Sequence, residues 1–274
     1  MNNQLEFPYR LDSIKKGMLE QEGILNEVAK VYADAIEDGG LVHIYANGHS
    51  RLSVEEAVIR MGALTGFFPI ISAAITTFND VVGSNGIRVG QFYEKVEGVG
   101  AKLLDEIDFG PKDVLTVITA TGTTAAAVDI AIEFSKRYPG LKIVAIASKS
   151  QSAAIPPRHS VGKNLIHVIE ANSNGFFIDN CMPVGDLSVE VAGQTGTYNV
   201  CPLSTVGAIS VTQCLNELTI KELDRRGVKH YVLRNMHIAN TSDNYDEWLN
   251  DQRKRYSLAR YNPNKVTPVL HNEK

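Results

Sequence analysis

Residues 113–137 read DVLTVITATGTTAAAVDIAIEFSKR, and their first half decides the fold. Asp113 to Thr119 is an almost unbroken β-branched run, the composition of a strand buried on both faces, as central strands of parallel sheets are. The run stops in ATGTT, where Gly122 permits a tight turn, and an alanine-rich helical pattern follows at once. Strand, hydroxyl-rich turn and helix come in that order without a spacer.

The arrangement recurs on both sides. Upstream, Leu41-Val42-His43-Ile44 runs into YANGHS at 45–50 and then into SVEEAVIRMGAL, where Ser53 followed three residues later by Glu56 has the spacing of a capping box. Downstream, Lys142 to Ala147 is apolar and ends in the polar SKSQSA. FFIDN at 176–180 reads as a further strand, and FFPIISA at 67–73 as a short one that Pro69 confines to an edge or an irregular stretch. Apolar residues recur at helical steps from Leu11 to Glu37, and FYEKVEGVGAKLLDEI is helical but punctuated by Gly98 and Gly100. A long helix from Leu203 ends at Gly227, its apolar face suiting a core or a dimer contact equally. Alternating strands and helices predict an α/β fold, a doubly wound parallel sheet flanked by helices. The expected layout is an N-terminal helical arm over 1–40, a ligand-binding domain over 41–262 and a loose tail over 263–274.

Composition narrows the partners. The 274 residues are 44% apolar and carry a net charge of −4 with both signs interspersed, which speaks against nucleic acid and against an anionic membrane surface. The one basic cluster, Arg253-Lys254-Arg255, reads as a solvated helical face. No apolar run approaches the roughly 20 residues of a membrane span, and the N-terminus lacks a signal-peptide layout. Cys181, Cys201 and Cys214 form no CxxC pair or metal-site spacing, so a reducing cytoplasm is expected.

In such sheets ligands gather outside the carboxyl ends of the strands, where these polar turns must point. Gly48 and Ser50, brought to a helix N-terminus, suit an anion. Thr119, Thr121, Thr123 and Thr124 supply hydroxyls around Gly122, with backbone N–H groups beside them. A single such turn is usually ordinary helix capping, but recurrence along one sheet edge favours a ligand. Neither turn carries a Walker lysine or GxGxxG, so ATP, NAD and any other cofactor are not expected. A phosphomonoester suits a loop without its own cation better than a nucleoside triphosphate does.

The order NGHSRLSVEEAVIRMGAL, VLTVITATGTTAAAVDIA, HSVGKNL, IDNCMPVGD and PLSTVG resembles the sugar isomerase (SIS) domain family, and most closely its UPF0309 subgroup with a GHS turn, over about residues 5–262. The resemblance implies a flavodoxin-like five-stranded parallel sheet, a sugar phosphate as small-molecule ligand, and a homodimer or higher homo-oligomer. It implies that Ser50, Thr119, Thr121 and Thr124 bind phosphosugar, with Ala120 and Gly122 contributing backbone and Ser148 completing the sugar pocket. The subgroup's Ser-Xaa-Ser-Gly-Arg-Asn loop is altered here. Threonines replace both serines, Thr123 and Thr124 replace the arginine and asparagine, and Ala46 stands where glycine is common.

Aldose–ketose isomerisation moves a proton between adjacent carbons through an enediol and needs a base near the sugar and an acid. Glu55 and Glu56, early in the helix after Ser50, are the candidate bases; the helix dipole or a capping box explains them as well. His49 in the first turn and His159 in PPRHSVGK are the imidazole candidates, His159 the preferred acid, while His43 reads as core. No metal site is expected, since His43 and His49 lack ligand partners at known zinc spacings. Asp179, Asp186 and Glu190 cluster after the last expected strand, where an acid could bind sugar hydroxyls, but turn-forming Asp is the simpler account. The expected activity is a sugar-phosphate isomerase; a non-catalytic phosphosugar sensor, a sugar-phosphate lyase or etherase, and a deaminase are the rivals.

Overall fold

A computed structural model describes residues 4–76, 82–84, 86–238 and 241–260, without the side chains of 258–260. Five strands form the main sheet: β1 (Val42–Ala46), β2 (Phe67–Ile70), β3 (Val114–Ile118), β4 (Lys142–Ala147) and β5 (Gly175–Asp179). Their order is β2-β1-β3-β4-β5 and every pairing is parallel, the flavodoxin-like arrangement. Pro69 sits in β2, which pairs only with β1, so its missing N–H can face outward.

Side-chain alternation explains why the sheet is covered twice. Val42, Ile44 and Ala46 of β1, Val114 and Ile118 of β3, and Val144 and Ile146 of β4 belong to one apolar cluster. Tyr45, Leu115, Val117, Ile143, Ala145 and Ala147, at the intervening positions, belong to the other. The first cluster is closed by α1 (Phe7–Glu20), α2 (Glu22–Glu37), α3 (Arg51–Val58) and α9 (Ser204–Arg225). The second is closed by α5 (Val99–Asp105), α6 (Ala125–Arg137) and α8 (Leu165–Glu170). The remaining helices are α4 (Ile87–Tyr93), α7 (Lys149–Ala154) and α10 (Tyr245–Arg260). No described helix is long and apolar enough to cross a membrane.

Several local expectations change. The residues expected to form an arm are α1 and α2, and Leu25, Val28, Tyr32 and Ile36 of α2 enter the first core, with the Tyr32 hydroxyl 2.6 Å from that of Thr116 in β3. Ser53 does not cap α3: the helix begins at Arg51, and Ser53 is a fully buried interior residue whose hydroxyl has no partner. Arg255 is not part of a solvated face. It pairs with Asp251 at 2.7 Å and donates to the Ile36 carbonyl, tying α10 to the end of α2. The tail expected over 263–274 lies outside the described residues.

An antiparallel hairpin of β6 (Leu187–Gly193) and β7 (Gly196–Pro202) was not anticipated. Its signal was legible: Leu187, Val189 and Val191 pair with Pro202, Val200 and Tyr198 on one face, and Gly193 and Gly196 bracket the turn.

Candidate functional site

The strand order reverses between β1 and β3, since α3 leaves β1 for one face of the sheet and α6 leaves β3 for the other. A crevice must open there, and this is where open α/β sheets bind ligands. A cavity of 450 Å³ occupies it, lined by Asn47, Gly48, His49 and Ser50 from the first turn and by Thr119, Ala120, Thr121, Thr123 and Thr124 from the second. Two turns that begin 72 residues apart, at Asn47 and Thr119, thus form one wall.

The second turn faces the cavity because its carbonyls are bonded behind it. Ala120 O accepts from Ser148 N at 3.1 Å and Asn180 Nδ2 at 3.0 Å, Thr121 O from Ser152 Oγ at 3.0 Å, and Gly122 O from Leu165 N at 2.8 Å. Gly122 has φ +74°, and a Cβ there would lie 2.7 Å from Ser152 Oγ, so the turn needs glycine on both counts. The hydroxyls form a ladder on the open side, Thr121 to Thr123 at 2.9 Å and Thr119 to Thr124 at 3.5 Å, above the N-terminus of α6. Polar donors at a helix N-terminus make an anion site.

The opposite wall was invisible in the sequence. Gln91, Glu94 and Lys95, at and beyond the end of α4, line the cavity, as does Arg158 from the segment between α7 and α8. Glu94 is half-buried, and Asn47 Nδ2 donates to its Oε2 at 2.5 Å. Burial pushes the Glu94 carboxyl above the usual carboxylate range; the Asn47 bond and the charges of Lys95 and His49 oppose that rise. Gly48 has φ +55°, and a Cβ on it would stand 3.8 Å from Glu94 Oε2, so the first turn and this carboxylate meet closely. Asp186 also lines the cavity, but its carboxylate is committed: Oδ1 accepts from the Leu203 and Ser204 amides and Oδ2 from the Ser204 hydroxyl.

A model of the SIS domain matches residues 9–148, just over half of the chain and inclusive of both turns. The chain belongs to the SIS domain family. A UPF0309 protein of Shouchella clausii is 26% identical over 235 residues, which is 86% of this chain and 89% of that protein. Another, of Thermoanaerobacter pseudethanolicus, is 28% identical over 196 residues, covering 71% and 74% respectively. Among solved structures, the phosphoheptose isomerase of Neisseria gonorrhoeae matches with a TM-score of 0.48 at 10% identity, over 78% of this chain and 94% of that one. A phosphoheptose isomerase of Francisella tularensis matches with a TM-score of 0.47 at 14% identity, over 78% and 96%.

Within this SIS domain the residues singled out from sequence divide sharply. Gly48, His49, Ser50, Thr119, Ala120, Thr121, Thr123 and Thr124 share the cavity wall, and Gly122 shapes it from behind. Ser148 does not reach it. That residue is fully buried, donates its hydroxyl to Met182 O at 2.8 Å and caps α7 by accepting from Gln151 N at 3.0 Å. Glu55 and Glu56 lie outside the lining: Glu55 pairs with Arg51, and Glu56 with Arg60 and Gln213, each at 3.3 Å. His159 is buried beside the cavity but not in its lining, and both ring nitrogens are engaged. Val161 N donates to Nδ1 at 3.2 Å, so Nε2 carries the proton and donates to Asp129 Oδ1 at 2.8 Å. His43 is core, bonded to Asp113 at 2.9 Å. Among the described residues no three His, Cys, Asp or Glu side chains group as a metal site would require.

The overlooked residues had weak signals. Glu94 and Lys95 sit in FYEKVEG and pass for the solvated side of a helix until α4 stops at Tyr93. Arg158 follows two prolines, a hint of irregular backbone, but its direction depends on how His159 packs.

Proposed function

We propose that this SIS domain binds a sugar phosphate in the β1/β3 cavity and isomerises it through an enediol, with Glu94 as the base. The observation that carries the reading is the joint presence in one cavity of a threonine ladder at a helix N-terminus, two cations and one carboxylate shifted upward by burial. Thr121, Thr123 and Thr124 with the opening of α6 suit the phosphate, and Lys95 and Arg158 supply the charge that the threonine turn itself lacks.

A proton on the carbon beside a carbonyl is weakly acidic, and a carboxylate that holds its proton more tightly than usual is a better base for it. Glu94 meets that need, and Asn47 orients it by donating to one oxygen. His49 shares the lining with Glu94, which makes it the candidate to protonate the sugar oxygen. These roles pass to Glu94 and His49 from Glu55, Glu56 and His159, which line no part of the cavity.

The test is ligand-induced stabilisation followed by isotope exchange. Sugar phosphates, but not the free sugars, should raise the melting temperature, since a ligand at a hundredfold its Kd adds about 2.7 kcal/mol. The best ligand should then take up solvent deuterium at the carbon adjacent to its carbonyl. Stabilisation without exchange would replace the isomerase by a phosphosugar sensor, and stabilisation by free sugars alone would remove the phosphate from the reading.

A further inference from the structure

Lys95 and Arg158 come from segments 63 residues apart, neither of them a helix or a strand at that point, yet both meet the same cavity. The link between the two segments is a buried carboxylate. Asp129, on α6 one turn behind the cavity-lining Ala125, accepts from Gly98 N through Oδ2 at 2.6 Å and from His159 Nε2 through Oδ1 at 2.8 Å. Gly98 follows Lys95 by three residues and His159 follows Arg158 directly. The segments are also tied to each other: Glu97 accepts from Ser160 N at 2.7 Å and from the Ser160 hydroxyl. The same Lys95 segment is fastened to α6 by its backbone, where Glu94 O accepts from Ala126 N at 3.1 Å.

Resting on the phosphosugar reading above, we infer that Asp129 and His159, assisted by the Glu97–Ser160 contact, form a positioning clasp that holds Lys95 and Arg158 as a paired cation clamp for the phosphate. The His159 ring, bonded to Asp129, anchors the residue directly after Arg158, and Arg158 lines the cavity from that anchor. The amide held by the second Asp129 oxygen fixes the level at which the Lys95 turn leaves α4. The turn TATGTT at 119–124 carries no cation of its own, so the charge for a phosphate must come from these two segments. None of Asp129, His159, Glu97 and Ser160 lines the cavity, so these are positioning residues and not catalytic ones.

The probe is inorganic phosphate, titrated into the full chain and followed by calorimetry, with folding of each variant checked by circular dichroism. Arg158→Gln should weaken phosphate binding about tenfold or more, as loss of one charge-assisted hydrogen bond does. His159→Leu, which removes the ring's bond to Asp129 without touching the lining, should weaken it severalfold in the native background and add little in the Arg158→Gln background. That non-additivity separates positioning from general loosening, because independent sites give losses that add. Ser160→Ala, on the exposed side of the clasp, should give a smaller loss with the same coupling and serves if His159→Leu does not fold. Folded His159→Leu or Ser160→Ala protein that binds phosphate like the native chain, or losses that add in full to that of Arg158→Gln, would overturn the clasp and leave the phosphate site standing. A native chain that binds no phosphate, while its folding is intact, would overturn the site itself and the clasp with it.

Discussion

The carboxyl ends of β3 and β4 carry similar sequences, a hydroxyl-rich turn leading into a helix, and the structure uses them in opposite ways. Beyond β3 the threonines line the cavity and the carbonyls of Ala120, Thr121 and Gly122 are bonded behind. Beyond β4 the polar groups are consumed internally: Ser148 caps α7 and bonds Met182 O, Ser152 holds Thr121 O, and Asn180, after β5, holds Ala120 O. One rim presents its polar groups to the cavity, and the other presents them to the first rim. The cause is topological. The sheet's winding reverses between β1 and β3 and leaves a crevice, whereas β3, β4 and β5 follow one another and their turns pack side by side.

The sharpest way to break this contrast is at the cavity's carboxylate. Glu94→Gln should lower turnover by about 100-fold or more, the range for losing a general base, with affinity for the sugar phosphate little changed; steady-state kinetics against binding would show it. Next comes an exchange between the rims. Thr121→Val with Thr124→Val should reduce phosphosugar affinity by roughly 100-fold, because two bonds to an anion are lost while shape is kept. Ser148→Ala should leave affinity near native and destabilise the chain by about 1–3 kcal/mol, because it removes a helix cap and strands the Met182 carbonyl. If Ser148→Ala weakened binding as much as the threonine pair, the two rims would not differ as described.

A subtler effect follows from the upward shift of Glu94. A carboxyl held above its ordinary range keeps its proton more tightly in the folded chain than in the unfolded one, so stability falls as pH rises from the ordinary carboxylate range through the raised value. Glu94→Gln should therefore melt higher than the native chain at neutral pH, and the advantage should vanish below the ordinary carboxylate range; melting curves across pH would test the sign. The smallest expectation is for α3: Glu55→Gln and Glu56→Gln should each leave turnover within about twofold, as surface ion pairs away from the cavity do.

What was legible in the chain followed short-range rules. Residues 113–137 announce strand, turn and helix because β-branched packing, glycine freedom and helix periodicity all act within a few residues. The same rules exposed YANGHS and TATGTT as polar turns, and the alternation of elements implied the parallel sheet. The family resemblance then implied hydroxyls that do line the cavity. It also implied Ser148, which faces inward, because nothing in a strand-turn-helix pattern states on which side of a winding reversal a turn will fall.

Charge placement was decided only by tertiary structure. Glu94 looks like any acid on a helix, and its upward shift comes from burial in the fold, opposed by the bond it accepts from the Asn47 amide, 47 residues away in sequence. Arg158 looks like a loop arginine, and it meets the cavity beside a histidine that bonds a carboxylate 30 residues earlier. Glu55 and Glu56 look well placed because they follow Ser50, and one helical turn carries them away toward Arg51, Arg60 and Gln213. The sequence by itself determined the elements, their alternation and the hydroxyl wall, because those depend on neighbours along the chain. Which acid, which cations and which histidine serve the cavity was decided by the packing of α4, α6 and the segment before α8, because burial and partnership belong to neighbours in space.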